Sequence, residues 1–152
     1  TGRIMESKKV YFKKLNDKAI KPSYGSADAA GADLYACLDE SIDIKPGETY
    51  FVHTGIAVSL PKYTVGLIYA RSGLACKKGI APANKVGVID CDYRGELIVA
   101  LHNHSTKTVT IEPSERVAQM VVTPYIPCDY EETDELDDTK RGDGGFGSSG
   151  RK

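Results

Sequence analysis

What most limits the fold of this chain is the near absence of a 3.6-residue apolar repeat. In its place stand short runs rich in β-branched and aromatic residues, broken by Gly, Pro, Asn and Asp. Strands are expected in "KVYFKK", "SIDI", "TYFVHTGIAVSL", "VGLIYA", "VGVIDCD", "ELIVALHNH", "TVTI" and "RVAQMVVTPY". Turn signals separate them: "KPGE", "LPKYT", "DYRG", "HSTK" and "EPSE". Many short strands at this spacing predict an all-β sandwich or barrel, jelly-roll types included. One segment reads as helical, "SGLACKKG", with Ser72 as N-cap and Gly79 as stop.

At 152 residues the chain is sized for one domain with a sizeable core. Residues 5–128 read as that β domain, 129–140 as an acidic linker and 141–152 as a glycine-rich tail. "TGRI" ahead of Met5 reads as an appended remnant, 1–4, with the native start at the methionine. A formal net charge of −1 argues against a general nucleic-acid or membrane binder, which would carry a basic excess. No apolar run approaches a membrane span and no secretory pattern opens the chain. Cys37, Cys76, Cys91 and Cys128 lie far apart with no C-x-x-C, which suits reduced thiols in an intracellular protein.

Several segments can carry chemistry, and each has a plainer reading. In "YARSGLACKKG" a strand runs into Arg71 and then into Ser72-Gly73 at the start of the helix. Unpaired N–H groups, a guanidinium and a hydroxyl there suit a phosphate; a capped surface helix with an exposed arginine fits as well. There is no G-x-x-x-x-G-K-[ST], so a P-loop is excluded. In "NKVGVIDCDYRGEL", Asp90 and Asp92 are two apart on an expected strand and so would share a face. They could activate water or hold hydrated Mg²⁺, or "DYRG" could be a polar turn closing a hairpin. "AAGADLYA" sets Asp33 at a strand start, and "ERVAQMVV" sets Gln119 within an apolar strand, as a ligand contact or a satisfied amide. His102 and His104 form an H-x-H pair without a third metal ligand at recognisable spacing. The tail "RGDGGFGSSG" reads by composition as disorder.

Taken in order, "AGADLYA", "ARSGLA", "GVIDCDYRGEL", "RVAQMVV" and "RGDGGFGSSG" resemble the five ordered motifs of the homotrimeric dUTPases, from about Asp28 to Gly150. The resemblance implies a distorted jelly roll, a homotrimer with shared active sites, and hydrolysis of dUTP to dUMP and pyrophosphate with Mg²⁺. It implies a role in limiting uracil in DNA and supplying dUMP for thymidylate, and a cytoplasmic location (nuclear in a eukaryote). By the same resemblance Asp90 would orient and deprotonate the water that attacks the α-phosphorus. Tyr93 would lie against the deoxyribose and exclude a 2′-hydroxyl. Asn84, Gly87 and the backbone around them would read the uracil edge. Arg71, Ser72, Gly73 and Gln119 would hold phosphates, and Asp33 would contact the metal's waters. From the tail, Phe146 would stack on uracil, Arg141 would bind phosphate, and Gly147, Ser148 and Ser149 would close over the γ-phosphate.

Ala70 departs from the proline usual before the second motif, Ser149 stands where threonine is frequent, and Asp143 falls at a variable position. The nearest rival is dCTP deaminase, which shares the fold and trimer and needs a glutamate near the base; Glu96 is available. An adhesion module acting through Arg141-Gly142-Asp143 and a catalytically dead relative are further alternatives.

Overall fold

The computed structural model describes residues 6–148 and 150. The described residues form eleven strands and one helix, and every strand pair among them is antiparallel. One sheet joins β1 (Tyr11–Lys14), β5 (Thr49–Ser59), β9 (Glu96–Asn103) and β7 (Ile80–Pro82) in the order β1-β5-β9-β7. A second joins β2 (Ser23–Tyr24), β3 (Ala32–Tyr35), β11 (Arg116–Pro124), β6 (Thr64–Tyr69) and β8 (Gly87–Ile89) in the order β2-β3-β11-β6-β8. A small third pairs β4 (Ile42–Ile44) with β10 (Val109–Ile111). Neighbours in a sheet are mostly distant in sequence, the mark of a distorted jelly roll.

Alternation decides which faces meet. Along β9 the side chains of Leu97, Val99, Leu101 and Asn103 are buried while Ile98 between them is exposed. Leu97, Val99 and Leu101 join Leu34, Ile44, Val52, Ile56, Ile68, Ile80, Ile111 and Val117 in one core drawn from all three sheets. Seven of the leucines and isoleucines are almost wholly out of water, each worth roughly 1.5–3 kcal/mol of burial.

β5 is too long to stay flat. Its register against β9 shifts between His53 and Ala57, and Gly55 at the bend has φ +68°. An added Cβ there would sit 2.8 Å from Ala19 Cβ and 3.1 Å from Cys37 Sγ, so both backbone angle and space call for glycine. The Gly55 N–H donates to Glu96 Oε2 at 2.9 Å, which makes good the ladder bond lost at the bulge.

The helix α1 (Ser72–Lys78) ends as expected, with Gly79 left-handed (φ 70°) and its N–H bonded to Ala75 and Leu74 carbonyls. Its start corrects the expected N-cap. Arg71, extended at φ −90° and ψ 134°, occupies the cap position and Ser72 is already helical, with no side-chain cap bond. A second correction concerns Asp90 and Asp92. β8 ends at Ile89, so the pair lies in a turn and not on one face of a strand. The short strands β2 and β7 went unread in the sequence, since two or three residues cannot display alternation.

Candidate active site

One cluster forms where β6 runs into α1. Asp33 on β3 is 8 % exposed and accepts a hydrogen bond at 3.0 Å from Arg71 Nε. Its other oxygen lies 3.9 Å from Arg116 Nε. Gln119 on β11 faces Asp33 in register, and its Nε2 donates to the Ala70 carbonyl at 2.9 Å. That bond ties the strand β11 to the corner carrying Arg71, Ser72 and Gly73. A Cβ on Gly31 would lie 3.0 Å from Gln119 Cδ, so the small residue lets the amide settle there. Gly73 has open space around it, and Ser72 is exposed. A cleft of about 330 Å³ runs between Gly25, Ser26, Gly31, Asp33, Arg71, Ser72 and Gln119. With two guanidinium groups around one carboxylate, and exposed small residues at a helix start, it suits an anionic group with several oxygens.

A second cluster forms at the ends of β8. On one side, Asn84 sits in the turn from β7, where Lys85 N–H donates to the Pro82 carbonyl and Val86 N–H to the Asn84 carbonyl. Gly87 opens β8 between Ile68 and the Asn84 amide: an added Cβ would be 3.3 Å from Ile68 Cβ and 3.7 Å from Asn84 Nδ2. On the other side, Tyr93 N–H donates to the Asp90 carbonyl at 3.1 Å and closes a turn. Arg94 Nη1 braces that turn through the Cys91 carbonyl at 2.7 Å and the Tyr93 carbonyl at 3.1 Å. The Tyr93 hydroxyl donates to the Glu96 carbonyl at 2.9 Å. Val88, Ile89, Asp90, Tyr93, Glu96 and Ile98 line a cleft of about 270 Å³. It has an apolar wall, an aromatic ring and an exposed carboxylate, a set suited to a ring with a reacting group at its edge.

Asp90 also borders a broader groove of about 960 Å³ that includes Lys62, Val65, Leu67, Cys91 and Tyr125. Partial desolvation, then the Cys91 thiol, push the Tyr125 phenol above its ordinary value. The clefts of Asp33 and of Tyr93 share no lining residue.

The tail forms its own turns. Arg141 Nε donates to the Gly144 carbonyl at 2.8 Å, Ser148 N–H to the Gly145 carbonyl at 3.0 Å, and Phe146, with φ +52°, is fully exposed. Among the described residues, the hydrogen bonds of Arg141, Gly142, Gly144, Gly145 and Ser148 are all local. Gly147 is left-handed (φ 83°), and Ser149 lies outside the described residues.

No group of three or more His, Cys, Asp or Glu side chains gathers among the described residues. Asp33 has the free lone pairs for contact through metal-bound water. Each of its oxygens keeps lone pairs beyond the one bond from Arg71. His102 and His104 meet edge to face with ring centroids 4.5 Å apart, and His102 Nδ1 is within 2.8 Å of Thr49 Oγ1. Glu96, the residue a deaminase would need, has its carboxylate engaged by Gly55 N–H and by His53 Nδ1 at 3.0 and 3.1 Å. Arg116 went unassigned from sequence. Its approach to Asp33 depends on β3–β11 register and on the shift between Arg116 and Ala118, which no local pattern displays.

A family model described as dUTPase matches residues 17–150. The chain is 46 % identical over 149 residues to the deoxyuridine 5′-triphosphate nucleotidohydrolase of Acinetobacter baumannii strain AYE, covering 95 % of this chain and 99 % of that one. It is 48 % identical over 144 residues to the enzyme of the same name from Hydrogenobaculum sp. strain Y04AAS1, again covering 95 % and 99 %. Among solved structures, a mutant dUTPase of Staphylococcus bacteriophage 80alpha with dUpNHpp superposes with a TM-score of 0.87 at 26 % identity, over 95 % of this chain and 100 % of that one. A mutant dUTPase from phage phi11 of S. aureus, described with a coordinated structural Mg(II) ion, shares the fold with a TM-score of 0.76 at 22 % identity over 85 % and 99 %.

Proposed function

Because this chain belongs to the dUTPase family and is a dUTP diphosphatase, we propose that it cleaves dUTP by water attack on the α-phosphorus, with residues from two clefts and the tail. The observation that carries the reading is the turn joining Asp90 to Tyr93 through one backbone bond. It sets a carboxylate and an aromatic ring at the mouth of one apolar cleft. A nucleoside laid there has its sugar on Tyr93 and its base toward Asn84 and Gly87. In this reading the base site leaves no room for thymine's methyl group, and Tyr93 clashes with a ribose 2′-hydroxyl.

Asp90 is the group that orients the attacking water and takes its proton. An aspartate is a weak base, so most of the rate comes from in-line positioning. Arg71, Ser72, Gly73 and Gln119 hold the phosphate chain, with Gln119 also fixing the corner from which Arg71 reaches out. Mg²⁺, held by the phosphates with Asp33 reaching its bound water, would supply neutralising charge when bound. The tail closes last: Phe146 on the uracil ring, Arg141 on phosphate, and Gly147, Ser148 and Ser149 over the γ-phosphate. Small residues there let backbone N–H groups approach the oxygens.

In this reading the enzyme is a homotrimer with shared sites, in which the Tyr93 cleft of one copy meets the Asp33 cleft of another, since on one chain the two clefts share no lining residue. In the cell such an activity limits uracil in DNA and supplies dUMP for thymidylate, which sets it in the cytoplasm or nucleus, wherever dUTP arises. The deciding assay is pyrophosphate release from each deoxynucleoside triphosphate, with and without Mg²⁺. Release from dUTP, strongly reduced by chelation, is expected. A uracil product from dCTP with dUTP left intact would refute the assignment.

A further inference from the structure

We propose that Gly95 is a positioning residue for sugar selection, because its missing side chain is the space in which the Tyr93 ring rests. The inference rests on the reading of Tyr93 as the sugar-facing ring. Glycines in this chain are required for two separable reasons. At Gly55 and Gly79 the backbone is left-handed, with φ of +68° and +70°. Gly95 is not among the residues with positive φ, so its backbone is open to any L-residue. Its reason is steric. The three atoms nearest to an added Cβ all belong to Tyr93: the hydroxyl oxygen, then Cζ at 2.6 Å and Cε2 at 2.9 Å.

A methyl group cannot share that volume with the ring. The obstacle is the far end of a side chain rather than backbone, so the ring would swing away while the strand kept its course. Swinging would break the bond from the Tyr93 hydroxyl to the Glu96 carbonyl at 2.9 Å. That carbonyl is well fixed, because the Glu96 carboxylate is pinned to the β5 bulge through Gly55 N–H and His53. The ring is therefore held from two directions: Gly95 provides the room and the Glu96 carbonyl provides the hydrogen bond. Remove either, and the face that rejects a 2′-hydroxyl loses its set position.

The test is a double-mutant cycle on the full chain, reading kcat/KM for dUTP and for UTP. Gly95→Ala is expected to lower the dUTP-to-UTP ratio about tenfold, the size of effect expected from a modest steric change in a pocket. In a Tyr93→Ala background, Gly95→Ala should leave the ratio unchanged. If Tyr93→Ala narrows the ratio but Gly95→Ala does not, the inference is overturned. It is equally overturned if Gly95→Ala acts by the same factor in both backgrounds. An unchanged ratio in Tyr93→Ala alone would refute the sugar-gate reading instead. The seat itself is then decided by NMR on the unmutated protein: a nuclear Overhauser contact between the Tyr93 ring and the Gly95 α-protons is expected, and its absence overturns the proposal. That spectrum needs no variant to fold.

Discussion

Asn103 carries a heavy polar load inside the core. It is fully buried, and its Nδ2 donates to the Ile44 and Lys107 carbonyls at 2.8 Å each. Its Oδ1 accepts from the Ser105 N–H and hydroxyl at 2.8 and 2.7 Å. One amide thus joins β9 to β4 and holds the loop that leads into β10. Asn103→Ala should cost about 2–4 kcal/mol, because it strands buried partners as well as leaving a void; a shift of the denaturation midpoint below about 1 kcal/mol would contradict this. Asp90 is the opposite kind of residue, exposed and locally unencumbered. Asp90→Asn should leave the melting temperature and dUTP binding close to unchanged while kcat falls by about 10²–10⁴. Near-normal turnover would remove Asp90 as the base. Both polar types were visible in the sequence, but only Asp90 stood in a motif that gave it a role. The demand for Asn103 arises from strands more than fifty residues apart.

At the scale of elements, the molecule depends on a few points where the chain bends. The end of α1 is one. Gly79 is left-handed, and an added Cβ would lie 2.9 Å from Ser105 Cβ and 3.1 Å from Ser105 N. Gly79→Ala should therefore destabilise by about 1–2 kcal/mol for the backbone alone, with more for the clash; equilibrium unfolding would measure it, and an unchanged midpoint would contradict it. Such an end was legible because a helix stop is a local event between neighbouring residues. The start of the same helix was not. Ser72 is a good cap by type, yet Arg71 takes the cap position, its side chain turned to Asp33. A long-range ion pair outweighed a local preference. Asp90 to Asp92 read as the end of a strand for a related reason, since "VGVIDCD" keeps an alternating pattern past the point where β8 loses its partner β6.

For the whole molecule, the proposed reading turns on two clefts that share no lining residue and on a tail whose described bonds are local. Copies carrying Asp90→Asn and copies carrying Arg71→Ala should each be nearly inactive. Unfolded together and refolded as a mixture, they should regain part of the activity, because a site drawn from two copies can then combine an intact Tyr93 cleft with an intact Asp33 cleft. No recovery in confirmed mixed oligomers would mean that each copy builds its own site. Truncation after Lys140 should leave the strands folded and the thermal transition in place, since the bonds of the described tail residues are local, while dUTP turnover collapses. A truncated enzyme of normal activity would dismiss the tail from the mechanism.

By itself the sequence determined the class of fold, the helix stop at Gly79 and the family, because each is written in neighbouring residues or in motifs of fixed order. It also set Asp90, Tyr93 and Asn84 in motifs for which the family resemblance implies a role, and all three are exposed. The tertiary structure alone decided that Asp33 lies between Arg71 and Arg116, that Gln119 ties a strand to a helix corner, and that Tyr93 rests in the space left by Gly95. The reason is common to all three. Each depends on the register of strands or the volume around a side chain, and both are fixed only when residues far apart in the chain pack together.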